Sequence, residues 1–277
     1  MNALQHASQS ATQRSDLARR FGPWALVTGA SDGIGLEIAR ILAQRGFSLL
    51  LVARRKDRLE ALCGELHSAH NVTCKPIEAN LATDEGNTLV THALASHEVG
   101  LFVAAAGFGT SGLFANSDLR TELDMLQVNC AAVLRGVYDA ASHMRQRKSG
   151  AIVLFSSVVA FHGVARSAHY AATKAWVQSL GEGLRIELGP HGIDVLISAP
   201  GPVDTGFARR THMQMGKALS PGVVALRTVD AIGKTGFIRP GGLSKLLGWS
   251  LATLPRALRV RLMSQIMKGM ARSDYQT

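Results

Sequence analysis

The chain has 277 residues, 47% of them hydrophobic, which is enough to bury the core of one sizeable α/β domain. Its 30 basic and 20 acidic residues give a formal net charge of +10, but no recognised nucleic-acid-binding motif accompanies this charge, so we do not expect nucleic acid as a partner. The cysteines Cys63, Cys74 and Cys130 are odd in number and widely spaced, which indicates a reducing compartment such as the cytoplasm and predicts neither a disulfide framework nor a zinc site or other metal centre.

The sequence divides into three segments. Residues 1–22 are polar and lack the apolar stretch of a secretory signal, so they predict a flexible or partly helical N-terminal arm. In residues 23–242, apolar strand patterns alternate with helical patterns, which predicts an α/β domain with a doubly wound parallel sheet and helices on both faces. Residues 243–277 predict a basic, apolar helical extension of the same domain.

A glycine-rich loop at 28–35 lies between a predicted strand at 24–27 and a predicted helix. Gly29 permits a tight turn, while Gly33 and Gly35 leave room for a pyrophosphate and for close packing of the helix on the strand. The helix N-terminus would offer free N–H groups and a partial positive charge to the phosphates. An ordinary turn is the alternative, but the strand–loop–helix context favours a dinucleotide site. The candidate cofactor-binding residues of the loop are Gly29, Ser31, Asp32, Gly33, Ile34 and Gly35.

The end of the next predicted strand, 48–53, indicates which dinucleotide to expect. Arg54 and Arg55 follow this strand, whereas an NAD site usually carries an acidic residue here for the ribose 2′-hydroxyl. Because a guanidinium matches the oxygens of a 2′-phosphate, we expect NADP, with NAD less favoured. The alternative is a solvated basic face at the start of a helix, and Asp32 in the glycine loop weakens the case for a phosphate slightly.

A second motif lies at the start of a predicted helix at 169–188. Tyr170 and Lys174 are four residues apart, so they share one face of this helix. A free tyrosine has a pKa of about 10, and a nearby ammonium lowers that pKa, which would make the phenol a usable general acid/base. As an isolated pattern, such a pair is more often a simple surface contact.

The order of the surrounding motifs supports the catalytic interpretation. A predicted strand at 150–155 precedes Ser157, and functional groups in open parallel sheets gather beyond such strand ends. Asn129 lies in a long predicted helix at 119–147, and a further predicted strand leads into residues 200–205.

In these motifs and their order, the chain resembles the short-chain dehydrogenase/reductase family from about Trp24 to about Gly242. The resemblance implies a Rossmann-like fold with about seven strands and an oxidoreductase that uses a nicotinamide cofactor. The family's catalytic residues fall on Asn129, Ser157, Tyr170 and Lys174. Besides Tyr170, Lys174 and the glycine loop, its cofactor contacts fall on Asn80, Leu81, Ala106, Gly107, Pro200, Gly201, Val203 and Thr205.

Two positions depart from the family pattern. Residues 104–107 read Ala-Ala-Ala-Gly where the family usually has Asn-Asn-Ala-Gly, so the hydrogen bonds of two asparagine side chains need other partners. Asn80 stands where an aspartate often contacts the adenine, and its amide oxygen can still accept a hydrogen bond.

By resemblance, the reaction transfers a hydride between the nicotinamide and a carbonyl or alcohol group of a small molecule. Tyr170 would exchange the proton, Ser157 would hold the oxygen, and Lys174 would lower the phenol pKa and bind the nicotinamide ribose. Asn129 would help to hold a water that relays protons, although an amide in a kinked helix also serves structure. A non-catalytic NADP-binding sensor or scaffold is the alternative function.

The C-terminal extension at 243–277 mixes apolar and basic residues, and its apolar stretch is too short to span a bilayer. We expect it to pack over the substrate pocket or against a partner subunit, and peripheral contact with an anionic membrane is less favoured. By resemblance, this extension indicates lipid-like or steroid-like substrates, and the family implies a homodimer or homotetramer built on the helices that carry Asn129 and Tyr170. Residues 206–219 predict a mobile lid with apolar side chains at Phe207, Met213, Met215 and Leu219.

Overall fold

The computed structural model describes residues 15–206, 218–242 and 255–270, the last five of these as backbone only. The described residues form one parallel sheet of seven strands in the order β3-β2-β1-β4-β5-β6-β7. The strands are β1 (Trp24–Thr28), β2 (Ser48–Ala53), β3 (Cys74–Glu78), β4 (Val99–Ala104), β5 (Gly150–Phe155), β6 (Ile193–Ser198) and β7 (Phe237–Ile238). The predicted parallel sheet is confirmed, and its two-residue strand β7 is an element that the sequence pattern did not predict.

Helices connect the strands and cover both faces of the sheet. A π-helical turn at Gln127–Ala131 interrupts the helix predicted at 119–147. The helices are α1 (Asp16–Phe21), α2 (Gly33–Gln44), α3 (Lys56–His70), α4 (Asp84–Ser96), α5 (Leu119–Leu126), α6 (Ala132–Arg147), α7 (Ala168–Leu188), α8 (Pro221–Ala231) and α9 (Arg256–Met270). Short 3₁₀ helices lie at Phe114–Asn116, Val158–Phe161 and Gly189–His191.

The strands are apolar along their whole length because both faces of the sheet are covered. In β2, Leu49 and Leu51 pack in the core layer beneath α2, α3 and α8, whereas Leu50 and Val52 pack in the opposite layer beneath α4, α6 and α7. The strand order reverses between β1 and β4. In open α/β sheets, such a reversal opens a crevice outside the carboxyl ends of the strands.

The part of the N-terminal segment that the structure describes contains the short helix α1. Ser15 caps α1, accepting a hydrogen bond from the Ala18 backbone N–H at 3.3 Å. Ala18 and Phe21 of this helix are buried in the same core layer as α2. Residues 15–22 are therefore part of the domain, because one apolar face of a short helix suffices to pack it against the sheet.

The expectation of unpaired cysteines is wrong for two of the three. Cys63 of α3 and Cys74 of β3 form a disulfide, with their Cα atoms 5.1 Å apart, whereas Cys130 is a buried free thiol. The eleven-residue separation gave no sign of this pairing. It arises because α3 runs back along β3, which brings the middle of the helix beside the first residue of the strand.

Candidate active site

A cleft of about 840 Å³ lies at the carboxyl ends of the strands. It is lined by residues from the loops that follow β1, β2, β3, β4, β5 and β6, as the reversal in strand order requires. Every predicted cofactor-binding and catalytic residue except Asn129 lines this cleft. They are Gly29, Ser31, Asp32, Gly33, Ile34, Gly35, Arg54, Arg55, Asn80, Leu81, Ala106, Gly107, Ser157, Tyr170, Lys174, Pro200, Gly201, Val203 and Thr205.

Backbone atoms lie so close to two glycines of the glycine loop that side chains would not fit there. Gly29 has a φ of 72°, and a Cβ atom there would lie 2.8 Å from the backbone of Ala106. At Gly35, a Cβ atom would lie 2.5 Å from the Gly29 carbonyl oxygen. The loop therefore brings bare backbone and the N-terminus of α2 to the cleft, which suits a pyrophosphate.

Arg55 is already held beside the glycine loop. Its guanidinium donates hydrogen bonds to the Ser31 hydroxyl at 3.0 Å and to the Ser31 carbonyl at 3.2 Å, and it lies 3.6 Å from the Asp32 carboxylate. Arg54 is exposed and lines the same part of the cleft. The two guanidiniums at the end of β2 and the Ser31 hydroxyl of the glycine loop form a donor set that fits a phosphate.

The loops after β3 and β4 accommodate both departures from the family pattern. The Thr28 hydroxyl accepts a hydrogen bond from the Ala106 N–H at 3.1 Å, so this backbone group has a partner without an asparagine. Asn80 is exposed, and its amide oxygen accepts a hydrogen bond from the Ala82 N–H at 3.2 Å. Leu81 is buried beside it.

Asn129 lies behind the cleft rather than in its wall. The side chain is fully buried in the π-helical turn and donates to the Phe108 carbonyl at 2.9 Å and to the Thr173 hydroxyl at 3.0 Å. Its amide oxygen accepts from the Phe108 N–H at 3.1 Å. Both N–H groups are used, so this amide ties the loop after β4 to α7. The role of Asn129 in holding a water for proton relay stays a prediction.

Ser157, Tyr170 and Lys174 meet at the centre of the cleft. The side chains of Ser157 and Tyr170 share a hydrogen bond, and the Lys174 ammonium lies 5.9 Å from the centre of the Tyr170 ring. Lys174 donates a hydrogen bond to the Phe155 carbonyl at the end of β5, at 2.9 Å. One turn of α7 and one strand end thus bring together residues that are 17 positions apart in the chain.

The ionisation of this group differs from the expectation. Burial raises the pKa of Tyr170 to about 12, and the hydrogen bond with Ser157 opposes this rise only in part. Burial also lowers the pKa of Lys174 to about 8, against an opposing effect of Cys130. The expected lowering of the phenol pKa by Lys174 is therefore not found in this structure, because burial of the hydroxyl outweighs its hydrogen bond with Ser157. The phenol is protonated at neutral pH.

The lowered pKa of Lys174 predicts that the stability of the cofactor-free protein depends on pH. Between the folded value of about 8 and the ordinary value of 10.5, the unfolded chain binds more protons than the folded one, so the free energy of unfolding rises with pH. We expect a rise of about 1–2 kcal/mol between pH 8 and 9.5 that is lost in Lys174→Met. Urea unfolding of both proteins at the two pH values measures this rise. If the free energy of unfolding changed with pH equally in both proteins, the prediction would be contradicted.

The loop after β6 closes the cleft above the glycine loop. The Pro200 carbonyl accepts a hydrogen bond from the Val158 N–H at 3.1 Å, and Val203 pairs with Leu219 in a short parallel bridge. A Cβ atom on Gly33 would lie 2.9 Å from the Thr205 methyl, so these two loops touch. The remaining apolar residues of the predicted lid, Phe207, Met213 and Met215, lie outside the described residues.

The C-terminal helix α9 contributes to the cleft, as expected for an extension that packs over the pocket. Met263 lines the cleft and is buried against Val159, Val164 and Ala171, with Tyr170 beside them. The Ser264 hydroxyl accepts a hydrogen bond from the Ala165 N–H at 3.0 Å, which fixes the helix to the loop before α7. Among the described residues, no helix has both the length and the apolar character needed to cross a membrane.

Several residues of the cleft wall were missed by sequence reasoning. They come from loops and helices whose distance from Tyr170 no local pattern reveals. They are Phe108, Thr110, Thr121, Asp124, Val128, Val159 and Met263. For Met263, the apolar positions of the extension were a signal that some residue there would face the pocket, but the signal did not specify which.

Comparisons with known proteins agree with this geometry. The family model described as short chain dehydrogenase matches residues 23–216. A very-long-chain 3-oxoacyl-CoA reductase of Podospora anserina is 34% identical over 201 residues, covering 69% of this chain and 58% of the relative. The chain spans between 54% and 62% of the length of the first curated relatives that it matches.

Two solved structures are similar over nearly the whole chain. A short-chain dehydrogenase from Sphingobium yanoikuyae in complex with NADPH has a TM-score of 0.77 at 30% identity, covering 92% of this chain and 100% of the other. A bulky-bulky ketone specific alcohol dehydrogenase from Comamonas testosteroni has a TM-score of 0.74 at 30% identity, covering 93% and 100%. Because the family match covers most of the chain and the fold and cleft agree with it, this protein belongs to the short chain dehydrogenase family of oxidoreductases.

Proposed function

We propose that the protein is an NADP-dependent oxidoreductase that acts on the carbonyl or alcohol group of a hydrophobic small molecule. The observation that carries this proposal is the meeting of Ser157, Tyr170 and Lys174 in the same cleft as the glycine loop. When bound there, NADPH would supply the hydride. The bare backbone at Gly29 and Gly35 leaves the space that its pyrophosphate needs.

The protein's own residues would manage the proton and the carbonyl oxygen. A protonated phenol is the form that donates a proton, and Tyr170 is in this form at neutral pH, as carbonyl reduction requires. The Ser157 hydroxyl is hydrogen-bonded to that phenol and would orient the carbonyl oxygen of the substrate. Lys174 is held by the Phe155 carbonyl, within reach of a ribose in the cleft.

The hydrophobic character of the substrate is supported by the cleft and by the relatives. Phe108, Val128, Val159 and Met263 give its substrate end an apolar wall. The similar proteins include reductases of very-long-chain 3-oxoacyl-CoA and an alcohol dehydrogenase specific for bulky ketones. NADPH oxidation against a panel of aldehydes, ketones and quinones tests the proposal, and a purified protein that binds NADPH but reduces nothing would favour a sensor or scaffold.

The arginine at the end of β2 gives a prediction for cofactor preference. Arg55→Ala should raise the KM for NADPH about tenfold, because a charge-assisted hydrogen bond to the 2′-phosphate is lost, and should leave the KM for NADH nearly unchanged. Arg58→Ala is the matched control, since Arg58 is exposed on α3 and does not line the cleft. If Arg55 only holds Ser31 in place, the KM values for NADPH and NADH will rise equally, which would contradict the assignment of Arg55 to the 2′-phosphate.

We further propose that the protein forms a homodimer or homotetramer through α5, α6 and α7. These helices expose large apolar side chains, of which Tyr138 is 71% exposed and Leu119 is 67% exposed. Exposed apolar patches of this kind mark interaction surfaces. Sedimentation of the wild type and of Tyr138→Glu should show loss of the larger species in the variant, whereas an unchanged mass would contradict this interface.

A further inference from the structure

A cluster of positive charge lies beside the substrate end of the cleft, and the mechanism does not use it. The Arg239 guanidinium lies 4.5 Å from the centre of the Phe161 ring and 5.1 Å from that of Phe237. Arg256 and Arg259 lie in the first turn of α9, which contains no acidic residue. His162 follows Phe161 in the chain, and its pKa is lowered by burial and then by the charges of all three guanidiniums.

His162 is the second observation that indicates a ligand. The residue is 7% exposed, and among the described residues its ring nitrogens have no hydrogen-bond partner of good geometry, only a weaker interaction with the Phe161 backbone. The Nε of Arg239 is also buried without a partner in the described part of the chain. Because unpaired buried polar groups are costly and rare, these atoms indicate a polar group that binds from outside.

The chemistry of the cluster specifies the sign of that group. Arginines in the first turn of a helix repel one another and lie unfavourably at the positive end of the helix dipole. A bound anion would reduce both of these repulsions. Within the described residues, neither Arg239 nor Arg256 forms a salt bridge with an acidic side chain. An anionic ligand would therefore find charged donors together with the neutral ring of His162.

Two arginines of the cluster lie on the same helix as a residue of the cleft wall. Met263, which lines the cleft beside Tyr170, follows Arg259 by four residues and Arg256 by seven on the same helix. At 1.5 Å per residue, the two arginines begin about 6 and 10 Å along the axis from Met263. An elongated molecule can thus place its carbonyl at Tyr170 and a charged group at the start of α9.

We propose that His162, Arg239, Arg256 and Arg259 bind the anionic group, a carboxylate or a phosphate, of an elongated carbonyl substrate. The inference rests on the proposed function, because it takes the carbonyl end of the same molecule to lie beside Tyr170. It adds to that function a second recognition point, so that the substrate is amphiphilic rather than merely hydrophobic.

Equilibrium binding tests the site without requiring turnover. Calorimetry with NADP-saturated protein would compare decanoate, decyl phosphate and uncharged decan-1-ol. We expect at least one anion to bind about tenfold more tightly than the alcohol, and which anion it is distinguishes a carboxylate from a phosphate. Equal binding of all three compounds would overturn the proposal.

Variants on one helix provide the matched control. Arg256→Gln should abolish the preference for the anion, whereas Arg261→Gln should keep it, since Arg261 is exposed on α9 and is not among the charges that act on His162. An equal loss in both would indicate general surface charge and overturn the site. Arg239→Gln is the second variant, with thermal unfolding as a check on its fold. Anion preference without any reductase activity would refute the proposed function and leave the site standing.

Discussion

Tyr170→Phe should lower kcat for carbonyl reduction by a factor on the order of 10² to 10⁴ and leave the Kd for NADPH nearly unchanged. This is the range that a positioned general acid contributes, and the substitution removes only the hydroxyl. The ring keeps its packing against the cluster of Val159, Val164, Ala171 and Met263, so the cleft retains its shape. Steady-state kinetics together with NADPH titration by fluorescence measure the two effects separately.

Tyr138→Phe is the matched control for this experiment. It removes the same hydroxyl from a tyrosine that is 71% exposed on α6 and does not line the cleft, so its kcat should equal that of the wild type. A Tyr170→Phe protein that keeps activity within a few-fold of the wild type would exclude the phenol as the proton donor. If a sensor function survived the substitution, we would abandon catalysis as the activity.

Gly35→Ala should lower the free energy of unfolding by about 1–3 kcal/mol and weaken NADPH binding at least tenfold. The added Cβ would lie 2.5 Å from the Gly29 carbonyl oxygen and 3.2 Å from that of Thr28. These atoms belong to the backbone, which cannot move aside as the end of a flexible side chain can. The added methyl group is therefore expected to cause strain of the size seen when a core is overpacked. Relief of the clash requires the glycine loop to shift away from the position that suits a pyrophosphate.

Gly64→Ala gives the opposite sign with the same chemical change. Gly64 is exposed on α3, and a Cβ there would meet nothing within 4 Å. We expect this variant to be more stable by about 0.5–1 kcal/mol, because alanine loses less conformational entropy in a helix, with NADPH binding unchanged. Chemical denaturation and cofactor titration of both variants make the comparison. Equal stability losses in the two would show that the loop tolerates a side chain at Gly35.

The predicted site residues that the structure brings to the cleft were found from short-range patterns. Helix periodicity places Tyr170 and Lys174 on one face of α7, and the structure has both in the cleft. The glycine loop can be recognised from sequence, because it follows a strand pattern and precedes a helix pattern. The close approach of Gly29 to the Ala106 backbone agrees with this interpretation. The continuous apolar runs indicated strands covered on both faces, and the parallel sheet confirms them.

The incorrect expectations involve burial or long-range contact. The Tyr170 pKa was expected to fall because the ammonium is near in sequence, but desolvation of both groups depends on the walls of the cleft. The disulfide between Cys63 and Cys74 depends on the angle at which α3 returns to β3. Neither the dielectric environment nor the crossing of two elements is encoded in local spacing.

By itself, the sequence determined the alternation of apolar strands with helices, the glycine loop and the Tyr170–Lys174 pair, because hydrophobic period and helix geometry act over a few residues. Only the tertiary structure decided that Met263 reaches the cleft from α9, that Arg55 is held by Ser31, and that Asn129 lies behind the cleft. These contacts join residues between 24 and more than 90 positions apart. They form only when core packing brings distant segments together, and no local pattern fixes which side chains then meet.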